Sequence, residues 1–456
     1  MSVPTRKLNR RTALSLAGGA ALGAAVGPGF AGAARAAGRQ RVVIVGGGVA
    51  GVSLAWLLDG AHDVTLLEAE PRLGGHARTL DVPVGGRVVP VDAGAQYFGP
   101  KSHPIYWKLL TDVLKVPTIP APMNLTVNRY GRTQPMLVSP DNRRVWPLFD
   151  PRYWGALVAL AAFVEQGRQL EARDDWTTTA ADFIDRLPLL GSVRDEVLYP
   201  LAGAMFGFSV PEVKQMSARA VVAFVVRGLG DGFLAPYDYH NAAGGLGAVV
   251  SALHTGLTTV DTRVGAAATR LERTGATWRV TDATGAAHEA DHVVLALPPY
   301  AAGPLVAQLA GGQGVADVYA RFRYLPARIA IHTDPAFMPK DRGVWSGFNV
   351  LHDGQFCEPT MWFGAFRPGV DVFKSWVSHR REQPRDVLAT IDYRHAHETP
   401  DYARAQRLLG QRQGEQNLWF AGTHMTDVSS QESALLSAMR VAEKLAPASP
   451  ALARLR

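Results

Sequence analysis

Short β-branched runs and helical patterns alternate near the start of the chain and predict a parallel α/β fold. Residues 41–45 read RVVIV, which is typical of a buried parallel strand. Apolar residues then recur at helical spacing from Gly51 to Leu58. A second strand is predicted at residues 63–68 and ends in an acid, Glu68. This strand–helix–strand order indicates a Rossmann-type unit.

Later segments repeat the same two patterns. A hairpin is predicted over residues 269–289, and buried strands are predicted at residues 291–299 and 417–423. A helix that is apolar on one face is predicted over residues 433–445. The sequence therefore predicts that distant segments return to one sheet. Core helices of a second unit are indicated at residues 154–162 and 216–226.

A glycine-rich turn follows the first strand and matches G-x-G-x-x-G. Gly46 allows the tight turn, Gly48 lets the backbone approach a pyrophosphate, and Gly51 allows close packing of helix on strand. Glu68 can accept the ribose hydroxyls and disfavours a 2′-phosphate, so an NADP-type ligand is not expected. The residues of this unit that we expect to contact a dinucleotide are Gly46, Gly48, Val49, Ala50, Gly51 and Glu68.

Four further segments carry a family resemblance. Residues 68–79, EAEPRLGGHART, resemble the E-A-x-x-R-x-G-G-[RH] sequence of the flavin amine oxidase superfamily, which includes monoamine oxidases, protoporphyrinogen oxidases and phytoene-desaturase-like enzymes. Residues 91–98 resemble the family segment whose backbone faces the isoalloxazine ring. Residues 417–423 and 431–438 resemble its F-A-G-[TE] turn and the start of its C-terminal helix. The resemblance implies that the dinucleotide is FAD.

The resemblance also implies which residues hold FAD. Arg72 offers a guanidinium fork to phosphate oxygens, and Gly74 and Gly75 let the backbone pass close to the cofactor. Glu432 stands where the family places an acid near the ribityl chain, and Val264 where a residue pairs its backbone with adenine. The other residues that the resemblance places beside FAD are Ala69, His76, Ala77, Gly94, Ala95, Gln96, Tyr97, Gly422, Ser433 and Ala434.

These positions predict a two-domain α/β architecture. A Rossmann-type FAD-binding domain is expected to be assembled from residues 37–98, 240–300 and 410–456. The stretches between them, residues 99–239 and 301–409, are expected to form an α+β substrate-binding domain.

Two departures from amine oxidases bear on the chemistry. The family's lysine, which holds a water near flavin N5, falls near Ala327 or Arg328, and the chain has no lysine there. The residue two before the C-terminal acid is an aromatic cage member in amine oxidases, whereas here it is Ser430. The single cysteine, Cys357, lies far from the position expected of a flavin thioether, so we expect non-covalent FAD.

Three side chains are candidate acids or bases near neutral pH: His332, His424 and Tyr97. His332 lies in a segment of the form H-T-D-x-x-x-M-P, which resembles a less characterised branch of the superfamily. No metal site is expected, because one cysteine excludes a multi-cysteine cluster and no histidine pair has a completing ligand.

The net charge of +7 is concentrated at the start of the chain. The first 36 residues contain five basic residues and no acid, and the remainder carries 42 basic and 40 acidic residues, so no nucleic-acid partner is expected. The pair Arg10-Arg11, the uncharged residues 12–32 and the small residues 34–36 predict a twin-arginine export signal. A transmembrane anchor is the alternative, but glycines interrupt its apolar run. We expect a periplasmic or secreted protein with no membrane span after signal removal.

The function predicted from the resemblance is removal of a hydride equivalent from a small or lipid-like substrate, through C–N oxidation of an amine or amino acid. C–C desaturation or isomerisation of a lipid or polyene is the alternative, which the missing lysine and cage residue favour slightly. O₂ or another electron acceptor would reoxidise the flavin. Two other classes stay open at this point: a nicotinamide dehydrogenase, and an exported FAD-binding protein without catalytic activity.

Overall fold

The computed structural model of the protein describes residues 38–121, 123–139, 146–229 and 238–456. The predicted export signal, residues 1–36, lies outside the described residues. Arg39–Arg456 forms one compact unit. None of the described helices combines the length and apolar composition needed to cross a bilayer.

The strands of the described residues are β1 (Arg41–Val45), β2 (Asp63–Leu67), β3 (Thr79–Val84), β4 (Arg87–Asp92), β5 (Thr118–Pro120), β6 (Leu125–Arg129), β7 (Leu137–Val138), β8 (His240–Ala242), β9 (Asp261–Arg263), β10 (Ala268–Thr274), β11 (Thr277–Asp282), β12 (Ala287–Ala290), β13 (His292–Leu295), β14 (Tyr324–His332), β15 (Phe348–His352), β16 (Cys357–Trp362), β17 (Phe373–Trp376), β18 (Val387–Ala396) and β19 (Leu418–Phe420).

The α-helices are α1 (Val49–Leu58), α2 (Pro104–Lys108), α3 (Pro151–Ala172), α4 (Ala180–Arg186), α5 (Gly191–Val193), α6 (Tyr199–Ala204), α7 (Val210–Gln215), α8 (Ala218–Gly228), α9 (Leu246–Thr255), α10 (Pro299–Val306), α11 (Gln313–Ala320), α12 (Pro400–Gln411), α13 (Gln431–Leu445) and α14 (Pro450–Leu455). Short 3₁₀ or π turns lie at Leu109–Val113, Trp146–Phe149, Arg194–Leu198, Pro335–Phe337, Arg342–Val344, Phe363–Ala365, Glu415–Asn417 and Thr423–Met425.

A five-stranded parallel sheet collects strands from distant parts of the chain, in the order β19-β13-β1-β2-β9. Its central strand β1 is almost completely buried, as its β-branched sequence requires. Helices α1 and α13 pack against each other within one core cluster, and the three-stranded sheet β10-β11-β12 contributes to a second cluster. The predicted strands, hairpin and C-terminal helix are therefore confirmed, as is the α/β fold class.

A seven-stranded sheet forms the other large layer, in the order β18-β14-β17-β16-β15-β6-β7. One face of this sheet shares a core cluster with α3, α6 and α8. Asp150 accepts the backbone N–H of Arg152 and so caps α3, whose first residue is a proline. The apolar patterns at 154–162 and 216–226 therefore belong to core helices, as the sequence predicts.

Candidate cofactor and substrate site

Two glycines of the turn between β1 and α1, Gly46 and Gly51, have no room for a side chain. Gly46 has a φ of +108°, and a Cβ there would lie 2.5 Å from the carbonyl oxygen of Ala296. A Cβ on Gly51 would lie 1.8 Å from the carbonyl oxygen of Gly46. Gly48 differs, because no atom lies within 4 Å of where its Cβ would be. Gly48 therefore faces open space at the start of α1, which no side chain caps.

Glu68 lies at the carboxyl end of β2, beside this turn. Its Oε2 accepts the backbone N–H of Gly47 at 2.6 Å, and its Oε1 accepts that of Glu70 at 2.8 Å. The backbone N–H of Glu68 donates to the carbonyl of Arg263, and Val264 follows that residue, half exposed, at the end of β9. Glu68 and Val264 thus lie at the same edge of the parallel sheet, where open α/β sheets bind ligands.

The loop after β2 packs its backbone on the glycine turn. The N–H of Gly74 donates to the carbonyl of Gly47 at 2.8 Å, and a Cβ on Gly75 would lie 3.4 Å from the Cα of Gly48. Arg72 hydrogen-bonds carbonyls of its own loop, those of Leu73 and Gly75, through its guanidinium group. Ala69 is exposed and Ala77 is buried. The two glycine-rich segments therefore form one continuous backbone wall.

The segment from Gly94 to Tyr97 lies against His76. The carbonyl oxygen of His76 accepts the N–H of Ala95, and it would lie 2.0 Å from a Cβ on Gly94. His76 is exposed to solvent, its imidazole stacks on Tyr393 with ring centroids 4.8 Å apart, and partial desolvation by the surrounding protein lowers its pKa. Gln96 is buried.

The C-terminal candidates follow β19 and open α13. Gly422 has a φ of +137°, and its N–H donates to the hydroxyl of Ser437. Ser433 shares a capping box with Ser430, and Ala434 is buried. Glu432 accepts the backbone N–H groups of Ile105 and Tyr106 at 3.1 and 2.7 Å, and thus connects α13 to the start of α2.

The three candidate acids or bases all lie in surroundings that move their pKa away from neutral. Burial lowers the pKa of His332 to about 4 and that of His424 to about 3, and it raises the pKa of Tyr97 far above its usual value. A hydrogen bond of 2.8 Å joins Nε2 of His332 to the hydroxyl of Ser375. The imidazole of His424 lies among aromatic rings. Each of the three groups is desolvated, and only His332 has an opposing attraction, from Asp334, so their role as acids or bases stays a prediction.

Lys374, on β17, is a site residue that the sequence analysis missed. It is 0% exposed, and its Nζ donates to the carbonyl oxygen of Gly94 at 3.1 Å. Burial lowers its pKa to about 7, although Asp92 opposes the shift. Side chains alternate across a strand, so Lys374 and the Phe373–His332 stack lie on opposite faces of the sheet. A lone lysine among Val372, Phe373, Trp376 and Val377 was the signal available in the sequence.

Cys357 lies on β16, packed near Gly203, and burial raises its pKa to about 12. The absence of covalent attachment stays a prediction. Among the described residues, no group of three or more His, Cys, Asp or Glu side chains could hold a metal ion.

The described residues fit FAD. Open space at Gly48 adjoins the uncapped start of α1, and the buried hydroxyls of Tyr97 and Tyr393 have no hydrogen-bond partner, which leaves donors and acceptors for a polar cofactor. The glycine turn lies at the carboxyl edge of a parallel sheet. This arrangement is typical of the class of dinucleotide-binding oxidoreductases.

A family model described as flavin containing amine oxidoreductase matches residues 49–349. The chain belongs to this family and is an FAD-dependent oxidoreductase. A short stretch of 41 residues is 61% identical to an L-amino-acid oxidase from Crotalus adamanteus, and it covers 9% of this chain and 8% of that enzyme. The chain is thus matched over less than a tenth of that relative's length.

Solved structures share the fold at low identity. A putrescine oxidase double mutant is 15% identical with a TM-score of 0.62, and the match covers 89% of this chain and 99% of the solved chain. A fatty acid isomerase from P. acnes that produces CLA is also 15% identical with a TM-score of 0.62, over 88% of this chain and 98% of the isomerase. These likenesses confirm the combination of a Rossmann-type FAD-binding fold with a substrate-binding layer.

Proposed function

We propose that this enzyme oxidises the C–N bond of an apolar amine or amino acid by removing a hydride equivalent from the carbon attached to nitrogen. Bound FAD supplies the two-electron acceptor chemistry. One observation carries the proposal. Lys374 donates to the carbonyl oxygen of Gly94, and its cross-strand neighbours on that face of the seven-stranded sheet, Ile331 and Met361, are apolar. The residues that we expect to hold FAD are those of the glycine turn, the 68–77 loop, the 94–97 segment and the start of α13.

The protein's own part in this reaction is to bind, orient and desolvate. The inner face of the seven-stranded sheet carries Ile329, Ile331 and Met361, all buried. A small apolar cavity lies beside that face, between Phe348 on β15 and Phe224 on α8. Such a surface excludes water from the reacting carbon and selects an apolar substituent.

A screen of the FAD-loaded enzyme tests the proposal. Oxygen uptake and dye reduction would be measured with apolar amines, apolar L-amino acids, and unsaturated fatty acids or polyenes as separate panels. We expect turnover in the amine or amino-acid panel, with oxygen uptake if O₂ is the acceptor and dye reduction alone if another acceptor is used. Turnover confined to the fatty-acid and polyene panel would contradict C–N oxidation.

The second candidate is C–C desaturation or isomerisation of a lipid or polyene. Ser430 favours it, because this residue caps α13 through its hydroxyl and provides no aromatic ring to flank an amine. The structural likeness to a fatty acid isomerase is compatible with it. Double-bond migration without net flavin reduction in the lipid panel would support this candidate.

Export of the folded holoprotein by the twin-arginine route is also our proposal. It rests on the sequence of residues 1–36 and on the physical benefit of loading FAD before leaving the cytosol.

A further inference from the structure

Residues 426–430, the 426–430 segment, connect two parts of the expected FAD site, the turn at Gly422 and the start of α13. Asp427 lies in this segment with a φ of +52°, in the left-handed region that residues other than glycine seldom adopt. Such a conformation persists only where the surrounding structure determines it, and it clusters at functional sites. The contacts of Asp427 therefore show what holds this segment in place.

Both ends of helix α8 bind the carboxylate of Asp427. Arg219, in the first turn of α8, donates from Nη1 to Oδ1 at 3.1 Å. Arg227, in its last turn, donates from Nη1 to Oδ2 at 2.6 Å and from Nη2 to Oδ1 at 3.0 Å. A forked pair of this kind fixes the orientation of the carboxylate as well as its distance. Asp427 therefore has a defined position along the length of α8.

Two further contacts hold the 426–430 segment to the helical layer. Val428 is 2% exposed and belongs to the core cluster that contains α3, α6 and α8. The N–H of Ser429 donates to Oε1 of Glu398 at 2.7 Å, and the carbonyl oxygen of Glu398 accepts the N–H of Ser217, the N-cap of α8. The segment is thus joined to α8 at the N-cap, the first turn and the last turn of that helix.

The end of the 426–430 segment sets the start of α13. The hydroxyl of Ser430 accepts the N–H of Ser433 and so caps the helix, and the N–H of Ser430 donates to the hydroxyl of Ser433. A shift of Asp427 would move this capping residue, which lies only three positions later. It would also move the N–H groups and the partial positive charge that the start of a helix presents to a ligand.

We propose that Asp427 is a positioning residue, which holds the start of α13 where it contacts FAD and which couples the position of α8 to the cofactor. The inference rests on the FAD site and not on which bond of the substrate is oxidised. Helix α8 lies in the layer that we expect to bind substrate, where its Phe224 lines the apolar cavity. The cluster of Arg219, Asp427 and Arg227 is thus a charged connection between that layer and the cofactor wall.

Glu171 provides a matched control, because it binds the same guanidinium from α3 rather than from the 426–430 segment. It pairs with Arg227, as Asp427 does, and both acidic side chains are partly buried. Replacing either acid with its amide removes one negative charge from the same cluster. Asparagine tolerates the left-handed region, so Asp427→Asn changes the charge and keeps the backbone conformation accessible. A merely structural cluster would make the two variants equivalent.

The test compares the wild type with Asp427→Asn and Glu171→Gln. Fluorescence titration with FAD gives the Kd, visible circular dichroism of the FAD-saturated proteins reports the flavin environment, and thermal unfolding of the apoproteins reports stability. We expect both variants to unfold at a lower temperature, whereas only Asp427→Asn raises the Kd, by about 10-fold, and changes the visible spectrum of bound flavin. Equal effects of the two variants on both flavin readouts, or wild-type values for Asp427→Asn, would overturn the positioning role.

A second measurement uses only the wild-type protein, so it tests the proposal even if Asp427→Asn does not fold. Hydrogen exchange would be followed by mass spectrometry with and without FAD. We expect FAD to slow exchange by about 10-fold in residues 218–228 of α8 as well as at the start of α13. Residues 151–160 of α3 belong to the same layer and are the reference, where exchange should not change. Protection of α13 without α8, or equal protection of α8 and the reference, would overturn the proposed coupling.

Discussion

At the residue scale, Lys374 shows how burial changes the chemistry of a side chain. The folded protein binds the proton of the Lys374 ammonium group less tightly than the unfolded chain does, because burial lowers the pKa of Lys374 from 10.5 to about 7. The unfolded chain therefore binds more protons across that window. It follows that the free energy of unfolding rises with pH between about 7 and 10.5.

Replacing Lys374 with Met removes this pH dependence. We expect Lys374→Met to raise the free energy of unfolding by about 3 kcal/mol at pH 7, with the gain shrinking toward pH 10 as the unfolded lysine also becomes neutral. Urea unfolding at fixed FAD concentration across this pH range measures the effect. Lys340→Met, which replaces an exposed lysine, is the control, and a gain that stays constant with pH would contradict a lowered pKa.

Glu68 joins the predicted ribose site to the glycine turn through one carboxylate. We expect Glu68→Ala to raise the Kd for FAD by about 10- to 100-fold, because a charged acceptor of hydrogen bonds is worth about 1.5–3 kcal/mol. Fluorescence titration of the apoprotein with FAD measures it. Glu70→Ala, two residues away and exposed, should bind FAD as the wild type does. Equal affinity of both variants would make the ribose assignment wrong.

At the element scale, the β1–α1 turn uses its glycines for two different purposes. Gly51 gives α1 the space to pack over the turn, whereas Gly48 leaves open the space that we assign to the pyrophosphate. Within four residues of the chain, one glycine is therefore needed for folding and another for cofactor binding.

The two alanine variants should therefore fail in different ways. Gly51→Ala places a Cβ 1.8 Å from the carbonyl oxygen of Gly46, and we expect it to destabilise the protein by more than about 3 kcal/mol. Gly48 has a φ of −68° with no neighbour near its Cβ position, so Gly48→Ala should fold normally and bind FAD at least about 10-fold more weakly. Thermal unfolding of the apoproteins and FAD titration distinguish the two. Normal FAD binding by Gly48→Ala would contradict the pyrophosphate assignment.

At the scale of the whole molecule, the five-stranded sheet brings residues 41–45 and 418–420 to either side of β13, although most of the chain separates them in sequence. A fold assembled from such distant segments can hold its cofactor only when it is complete, and this physical argument is one reason for our export proposal.

The export proposal makes a direct prediction. Replacing both Arg10 and Arg11 with Lys should retain the precursor in the cytoplasm, because the twin-arginine route reads that pair. Immunoblots of cytoplasmic and exported fractions measure it, with Arg6→Lys as the control. Equal export of the double variant would exclude this route.

The sequence by itself determined the parallel strands, the glycine turn and the family, because these depend on local periodicity and on residues that are adjacent in the chain. Only the structure shows that Glu68 and Val264 lie at one sheet edge, because it pairs β2 with β9 in parallel. Only the tertiary structure decided the protonation of the candidate bases: burial sets the pKa of His332, His424 and Lys374, and burial depends on packing between distant elements. Lys374 reaches Gly94 across 280 residues of sequence. No local pattern encodes that contact, because strand register and sheet order bring the two residues together.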